Sequence, residues 1–150
     1  MAAKVALVAH WDWVLYNFRM PLAKALRTQG ANVVFICPVG EYTPRLRAEG
    51  FEVLHWRLRR RSFNPPYEGV AIAHLAWIYR RNTPTCVQHF TIKPALYGSL
   101  AARIAGVPKV FNAFTGLGFT FSDAPASRRI RAIVRPLLRH VLCRRNSMTL

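Results

Sequence analysis

KVALVAHWDWVLYNFRMPLAKALRTQGANVVFIC, residues 4–37, reads as strand, helix and strand in succession. The apolar run from Lys4 to Ala9 is too short for a signal peptide and meets His10 and Asp12 at once, so it reads as a buried first strand. Pro21 to Gln29 reads as a helix stopped by Gly30, and Ala31 to Cys37 as the second strand.

The same rhythm continues downstream. Thr43 to Glu49 reads as a short helix closed by Gly50, and Phe51 to His55 as strand three. Tyr67 to Arg81 is the next helix, Thr85 to Gln88 strand four, Pro94 to Ala105 a helix closed by Gly106, and Lys109 to Ala113 strand five. A last helix, Ser127 to Arg145, carries Ile130, Ile133, Val134, Leu137, Leu138, Val141 and Leu142 on one face and is expected to kink at Pro136. Short apolar strands alternating with helices predict an α/β fold, a doubly wound Rossmann-like parallel sheet. Right-handed crossovers give the order 3-2-1-4-5, with the ligand crevice beyond the C-terminal ends of strands one and four. The sequence holds no internal repeat or linker, and Arg59 to Pro66 is the one long loop.

The 150 residues suit one domain, able to bury roughly two-thirds of the surface that the unfolded chain exposes. Apolar residues at 52% against 19% charged exclude a disordered polymer despite a net charge of +16. Cys37, Cys86 and Cys143 are far apart, with no metal-ligand spacing, so neither a disulfide framework nor a structural metal is expected. The longest later apolar stretch, Val70 to Tyr79, is interrupted by His74 and is far short of a membrane span.

Three segments would border the crevice. The one after strand one, residues 10–21, has no glycine, so the Gly-x-Gly-x-x-Gly turn of dinucleotide enzymes is absent. It mixes Trp11, Trp13 and Tyr16 with polar groups, an arrangement suited to sugars: aromatic faces pack on the C–H side of a ring while Asp12, Asn17 and Arg19 engage hydroxyls or phosphate. The aromatics would equally serve as caps on the core beside the first helix. After strand four, His89-Phe-Thr-Ile-Lys-Pro94 leads into a helix whose N-terminus, with Thr91 and Lys93, would favour an anion. His89 is open to a structural or a functional role. After strand five, Gly116 and Gly118 permit a tight turn and close approach of a ligand to the backbone, as a structural turn also would.

HWDWVLYNFRMPLAKAL, HFTIKP with the following YGSLAARIAGVP, and NAFTGLGFTF stand in an order and spacing that resembles the N-terminal, acceptor-side domain of glycosyltransferase family 4, in the branch building bacterial capsule, exopolysaccharide and lipid-linked oligosaccharide. The resemblance runs over about positions 4 to 146. It implies a GT-B architecture, in which a first Rossmann-like domain holds the acceptor and a second holds the nucleotide-sugar donor. It also implies metal-independent transfer with retention of anomeric configuration and no cofactor. Where some relatives place a histidine after strand five, this sequence offers Phe114 and Thr115, so no catalytic residue is assigned. Asp12, Trp13, Asn17, Arg19, His89, Thr91, Lys93, Thr115, Gly116 and Gly118 are expected as acceptor or phosphate contacts. Residues 1–150 are expected to be this single domain, with the donor domain absent, either as a truncated enzyme or as a natural subunit paired with a donor-binding chain. Little activity is expected of it alone.

Arginines at 128, 129, 131, 135, 139, 144 and 145 flank the apolar face of the last helix, and Arg57, Arg59, Arg60 and Arg61 follow strand three. A basic amphipathic helix suits an anionic membrane surface, although its apolar face would also pack on the sheet with the arginines solvated. With a lipid-linked acceptor, the expected location is cytoplasmic, peripheral at the inner face of the cytoplasmic membrane. The alternatives are a basic nucleic-acid-binding module, for which no motif is present, and a scaffold without catalysis.

Overall fold

The computed structural model describes residues 2–59, 64–113 and 147–149. The strands β1 (Lys4–Val8), β2 (Asn32–Cys37), β3 (Glu52–His55), β4 (Cys86–Phe90), β5 (Lys109–Ala113) and β6 (Ser147–Thr149) form a sheet in the order β3-β2-β1-β4-β5-β6. Every pairing is parallel, with β1 central: Val5 is aligned with Val33 of β2 on one side and with Cys86 of β4 on the other. The first five strands follow the order read from the sequence. β6 was not foreseen, because three residues are too few to display a strand period.

Alternate residues along β1 and Ala9, which follows it, enter different layers. Val5, Leu7 and Ala9 pack with Val14, Leu15, Met20, Ala23 and Leu46, whereas Ala6 and Val8 pack with Leu75, Ala76, Ile78, Ala101 and Ala102. A strand covered on both faces gains nothing from alternating polarity, which is why its sequence is an unbroken apolar run. Filling each layer with side chains such as Leu7 and Leu75 contributes about 1.5–3 kcal/mol per large residue before chain entropy is counted.

Among the described residues, six helical segments cover the sheet: α1 (Asp12–Val14), a π-helical turn at Leu15–Arg19, α2 (Met20–Thr28), α3 (Thr43–Ala48), α4 (Pro65–Asn82) and α5 (Ile92–Ala105). The segment after β1, expected as a loop up to Pro21, is therefore helical from Asp12 onward. Pro21 has no N–H for the Asn17 carbonyl, and its ring would collide with that carbonyl in a regular α-helix; a wider turn just before it removes the conflict. α4 begins earlier than expected because Pro65 and Pro66 suit a first helical turn, where the missing N–H has no partner to lose. β4 runs two residues beyond its expected end, which places His89 and Phe90 in the sheet.

The crossovers run from β1 outward to β3 and then return to β4 on the other flank of β1. The chain thus leaves β1 and β4 in opposite directions, opening a crevice beyond their C-terminal ends. Cys37 and Cys86 are free thiols; burial, aided by the charge of Asp12, pushes that of Cys37 up to about 12 and keeps it unreactive. The expected helix at Ser127 to Arg145, its kink at Pro136, and Cys143 lie outside the described residues.

Candidate functional site

The crevice is built where β1 and β4 end side by side. His10, just past β1, and Thr91, just past β4, meet through a hydrogen bond between Nδ1 and Oγ1 of 2.8 Å. Thr91 has φ 74° and ψ 168°, a region that a β-branched residue adopts at a cost of roughly 1–3 kcal/mol. It is held there from three sides: its N–H donates to the Ala113 carbonyl at the end of β5, its carbonyl accepts from Ala95 in α5, and its hydroxyl meets His10. This strained residue therefore ties together the ends of three elements at the point where the sheet order reverses.

Arg19 leaves the π-helical turn and lays its guanidinium over the ring of Phe90, 4.2 Å from the centroid. Its Nε is buried and has no hydrogen-bond partner, and desolvation lowers the pKa of the group. A cation placed so has unspent donor capacity, which an anionic ligand would satisfy. Beside it stands an aromatic cluster: Trp11 stacks on Trp13 at 4.9 Å, and Phe18 meets Trp13 edge-on at 5.2 Å. Trp11 and Phe18 expose 37% and 58% of their surface, while Trp13 is half-buried against the core. Asn17 is exposed and ties its amide back to the Trp13 carbonyl, 3.0 Å away.

Four of the residues expected from the sequence, Trp13, Asn17, Arg19 and Thr91, thus lie on the segments that flank the crevice. Asp12 does not offer its carboxylate to a ligand. It is fully buried, and its Oδ2 accepts the N–H groups of Tyr42 and Thr43 and the Thr43 hydroxyl at 2.9–3.0 Å, while Oδ1 accepts the N–H of Trp13. The carboxylate satisfies the free donors at the start of α3 and so fixes the post-β1 segment to the β2–α3 connection. Gly40 lies so close to it that a Cβ there would stand 2.9 Å from both carboxylate oxygens.

His89 is also buried, beneath α4 and α5, and does not line the crevice surface. Its Nδ1 lies 2.8 Å from Oδ1 of Asn112 and its Nε2 lies 2.9 Å from the Tyr79 hydroxyl. Because the Asn112 amide nitrogen donates to Ser99 Oγ, Oδ1 is the acceptor for the ring. The imidazole therefore carries its proton on Nδ1 and accepts from Tyr79 at Nε2. Burial depresses its pKa from 6.5 to about 4 against the opposing Asn112 bond, so the ring is neutral at physiological pH. Burial likewise raises the Tyr79 hydroxyl well above its usual value.

Lys93, expected at an anion site, is directed elsewhere. Its ammonium contacts both oxygens of Glu68 at 3.2 and 3.3 Å and donates to the Arg59 carbonyl. The pair is largely shielded, at 15% and 12% side-chain exposure, and joins the start of α5 to the start of α4. Thr115, Gly116 and Gly118 lie outside the described residues. The sequence pointed to none of His10, Phe90, Tyr79, Asn112 or Glu68 as partners; the one available signal was Glu68, conspicuous as one of only six acidic residues in a strongly basic chain.

Among the described residues, no group of three or more His, Cys, Asp or Glu is arranged to hold a metal ion, and no helix is long and apolar enough to cross a membrane. Residues 4–146 match the family model described as "Glycosyl transferase 4-like". The chain is similar to the N,N'-diacetylbacillosaminyl-diphospho-undecaprenol alpha-1,3-N-acetylgalactosaminyltransferase of Campylobacter jejuni, with 32% identity over 120 residues, covering 80% of this chain and 32% of that protein. Among solved structures, MurG of Acinetobacter baumannii superposes with a TM-score of 0.64 at 17% identity, over 98% of this chain and 44% of that one. A glycosyltransferase of Rickettsia africae gives 0.66 at 14% identity, over 99% and 42%. These two likenesses establish the fold, a Rossmann-like half of the GT-B type. The chain spans about a third of the length of the curated relative and less than half that of the two structures. With the motif order, the sheet order and the family match in agreement, the chain belongs to the glycosyl transferase 4-like family.

Proposed function

We propose that this chain is the acceptor-binding half of a retaining glycosyltransferase that moves a sugar from a nucleotide-sugar onto a lipid-linked saccharide in bacterial surface polysaccharide synthesis. The observation that carries the reading is Thr91, kept in a strained conformation by His10 across the β1/β4 crevice. Strain of this kind persists where the surroundings over-determine it, and it clusters at ligand sites. The neighbouring groups suit an acceptor that joins a saccharide to a diphosphate and a lipid. Arg19, with its buried Nε unpartnered, would take a phosphate oxygen; Trp11, Trp13 and Phe18 offer apolar faces to a sugar ring; Asn17 adds a polar group at the rim. The name of the Campylobacter relative, a transferase acting on an undecaprenol-diphosphate-linked sugar, supports the same substrate class.

In this reading Asp12 and His89 position the crevice rather than touch the acceptor. Nucleotide-sugar binding belongs to a second, donor-binding unit, elsewhere in the same polypeptide or in a separate chain. The enzyme works in the cytoplasm at the inner face of the membrane, where a lipid-linked acceptor is presented.

Titration calorimetry with a short-chain lipid-diphosphate saccharide and, separately, with nucleotide-sugars tests this. Binding of the first but not the second is expected, and Arg19→Gln should weaken it by about tenfold, the value of one charge-assisted hydrogen bond. Binding of nucleotide-sugar alone, or affinity indifferent to Arg19, would overturn the assignment. Supplying the donor-binding unit should restore transfer, and the anomeric configuration of the product, read by NMR, checks retention.

A further inference from the structure

The outer face of α4 plays no part in the crevice. Tyr67, Val70, His74, Trp77 and Arg81 follow one another at spacings of three and four residues and form a single stripe about 21 Å long, at 1.5 Å per residue. Tyr67, Val70 and Trp77 expose 48%, 57% and 54% of their surface, unusual for large apolar groups on one helix of a soluble layer. Cations accompany each aromatic. The Arg59 guanidinium lies over the Tyr67 ring at 4.2 Å, that of Arg81 over the Trp77 ring at 5.5 Å, and His74 stacks on Trp77 while accepting the N–H of Arg57. The one acidic residue of α4, Glu68, is neutralised by Lys93. Where the stripe begins, the end of β3 and the start of α4 border a groove of 390 Å³ lined by Arg57, Arg59, Tyr67, Val70 and the Lys93-paired Glu68.

We infer that this face of α4 docks the protein on an anionic phospholipid surface, with Tyr67, Val70 and Trp77 entering the headgroup region and Arg57, Arg59 and Arg81 meeting lipid phosphates. Aromatic bodies with cationic neighbours are the side chains that partition to a bilayer interface, apolar part inward and charge outward. Charge complementarity selects the lipid: the stripe carries no free acid, and the chain as a whole is +16. α4 itself does not qualify as a spanning helix, so the contact is superficial. This deepens the membrane-peripheral reading given above and rests on it, by naming the surface that makes the contact.

The test is co-sedimentation of the full chain with vesicles of phosphatidylglycerol and phosphatidylethanolamine, and with vesicles of phosphatidylcholine alone, none containing acceptor lipid. The absence of acceptor separates this outcome from that of the calorimetric test of saccharide binding. Preference for the anionic vesicles is expected, with Val70→Glu/Trp77→Glu reducing the bound fraction and Arg57→Gln/Arg59→Gln/Arg81→Gln lowering affinity by about tenfold or more. Circular dichroism should give unchanged melting for both variants, since the substituted side chains are on the outer face or at its rim. Brominated phosphatidylglycerol should quench tryptophan fluorescence in the parent and less in Trp77→Phe, which keeps the fold if the charged variants do not. Equal binding to phosphatidylcholine, undiminished binding by the variants, or a change only in oligomeric state would overturn the proposal.

Discussion

Gly98 of α5 lies directly against the imidazole of His89 in β4, leaving no room for a Cβ at that position. The helix and the strand approach this closely because the ring is held from both ends, by Asn112 and by Tyr79, and cannot turn aside. Gly98→Ala should therefore destabilise the fold by about 1–3 kcal/mol, the usual cost of overpacking, although alanine is the better helix former. In a His89→Ala background the same substitution should cost much less, because the obstructing ring is gone. Urea unfolding of the two single variants and the double variant measures this coupling; strict additivity would mean that Gly98 is needed for another reason.

Acid should weaken the protein through the same histidine. The folded-state pKa of His89 is near 4 against an ordinary 6.5, so between these values the unfolded chain binds the extra proton. Its contribution is fully present above about pH 6.5 and is lost as pH falls toward 4, amounting to at most about 3 kcal/mol. Unfolding free energies measured at pH 7.5 and pH 5 should differ accordingly. The difference should shrink in His89→Gln, which has no proton to take up; an unchanged pH slope in that variant would assign the effect elsewhere.

Asp12 provides a purely architectural prediction. Asp12→Ala leaves the N–H groups of Trp13, Tyr42 and Thr43 without their shared acceptor and should cost about 1–3 kcal/mol. Asp12→Asn keeps an acceptor oxygen and should cost less. Thermal melting of the two variants gives the comparison, and equal melting temperatures would show that the carboxylate does not hold α3.

At Thr91 the order of two small substitutions carries the argument. Thr91→Ala retains a Cβ at φ 74° while losing the bond to His10; Thr91→Gly loses the same bond but relieves the strain. The glycine variant should be the more stable of the two by about 1 kcal/mol, offset in part by the greater freedom of its unfolded chain. Differential scanning calorimetry decides the order, and the reverse order would mean that the backbone there is not strained.

The sheet was legible because burial on both faces writes itself into a strand as an unbroken apolar run, as in Val5 to Ala9 and Val33 to Cys37. Glycines after the helices, notably Gly30 and Gly106 with φ of 85° and 73°, marked where helices stop, since few other residues take that conformation cheaply. Pro21 was read as a helix start, but the chain is already helical from Asp12, and the proline's effect on the preceding turn was not legible: that effect depends on where the Asn17 carbonyl would fall, a geometric matter with no signature in composition.

From the sequence alone followed the order of the first five strands, the position of the crevice and the segments around it, because local period and the handedness of crossovers leave few alternatives. Tertiary structure alone decided what each polar side chain there does. Asp12, His89 and Lys93 were recognisable as chemically capable groups, yet their partners Thr43, Tyr79, Asn112 and Glu68 stand 10 to 31 positions away in the chain. A buried polar group takes whichever partner packing brings within about 3 Å, and packing is a property of the whole fold rather than of neighbouring residues. For the same reason the strain at Thr91 and the unpartnered Nε of Arg19 were invisible in the sequence: the first exists because Ala113, Ala95 and His10 all bond to one residue, the second because the guanidinium is buried over Phe90.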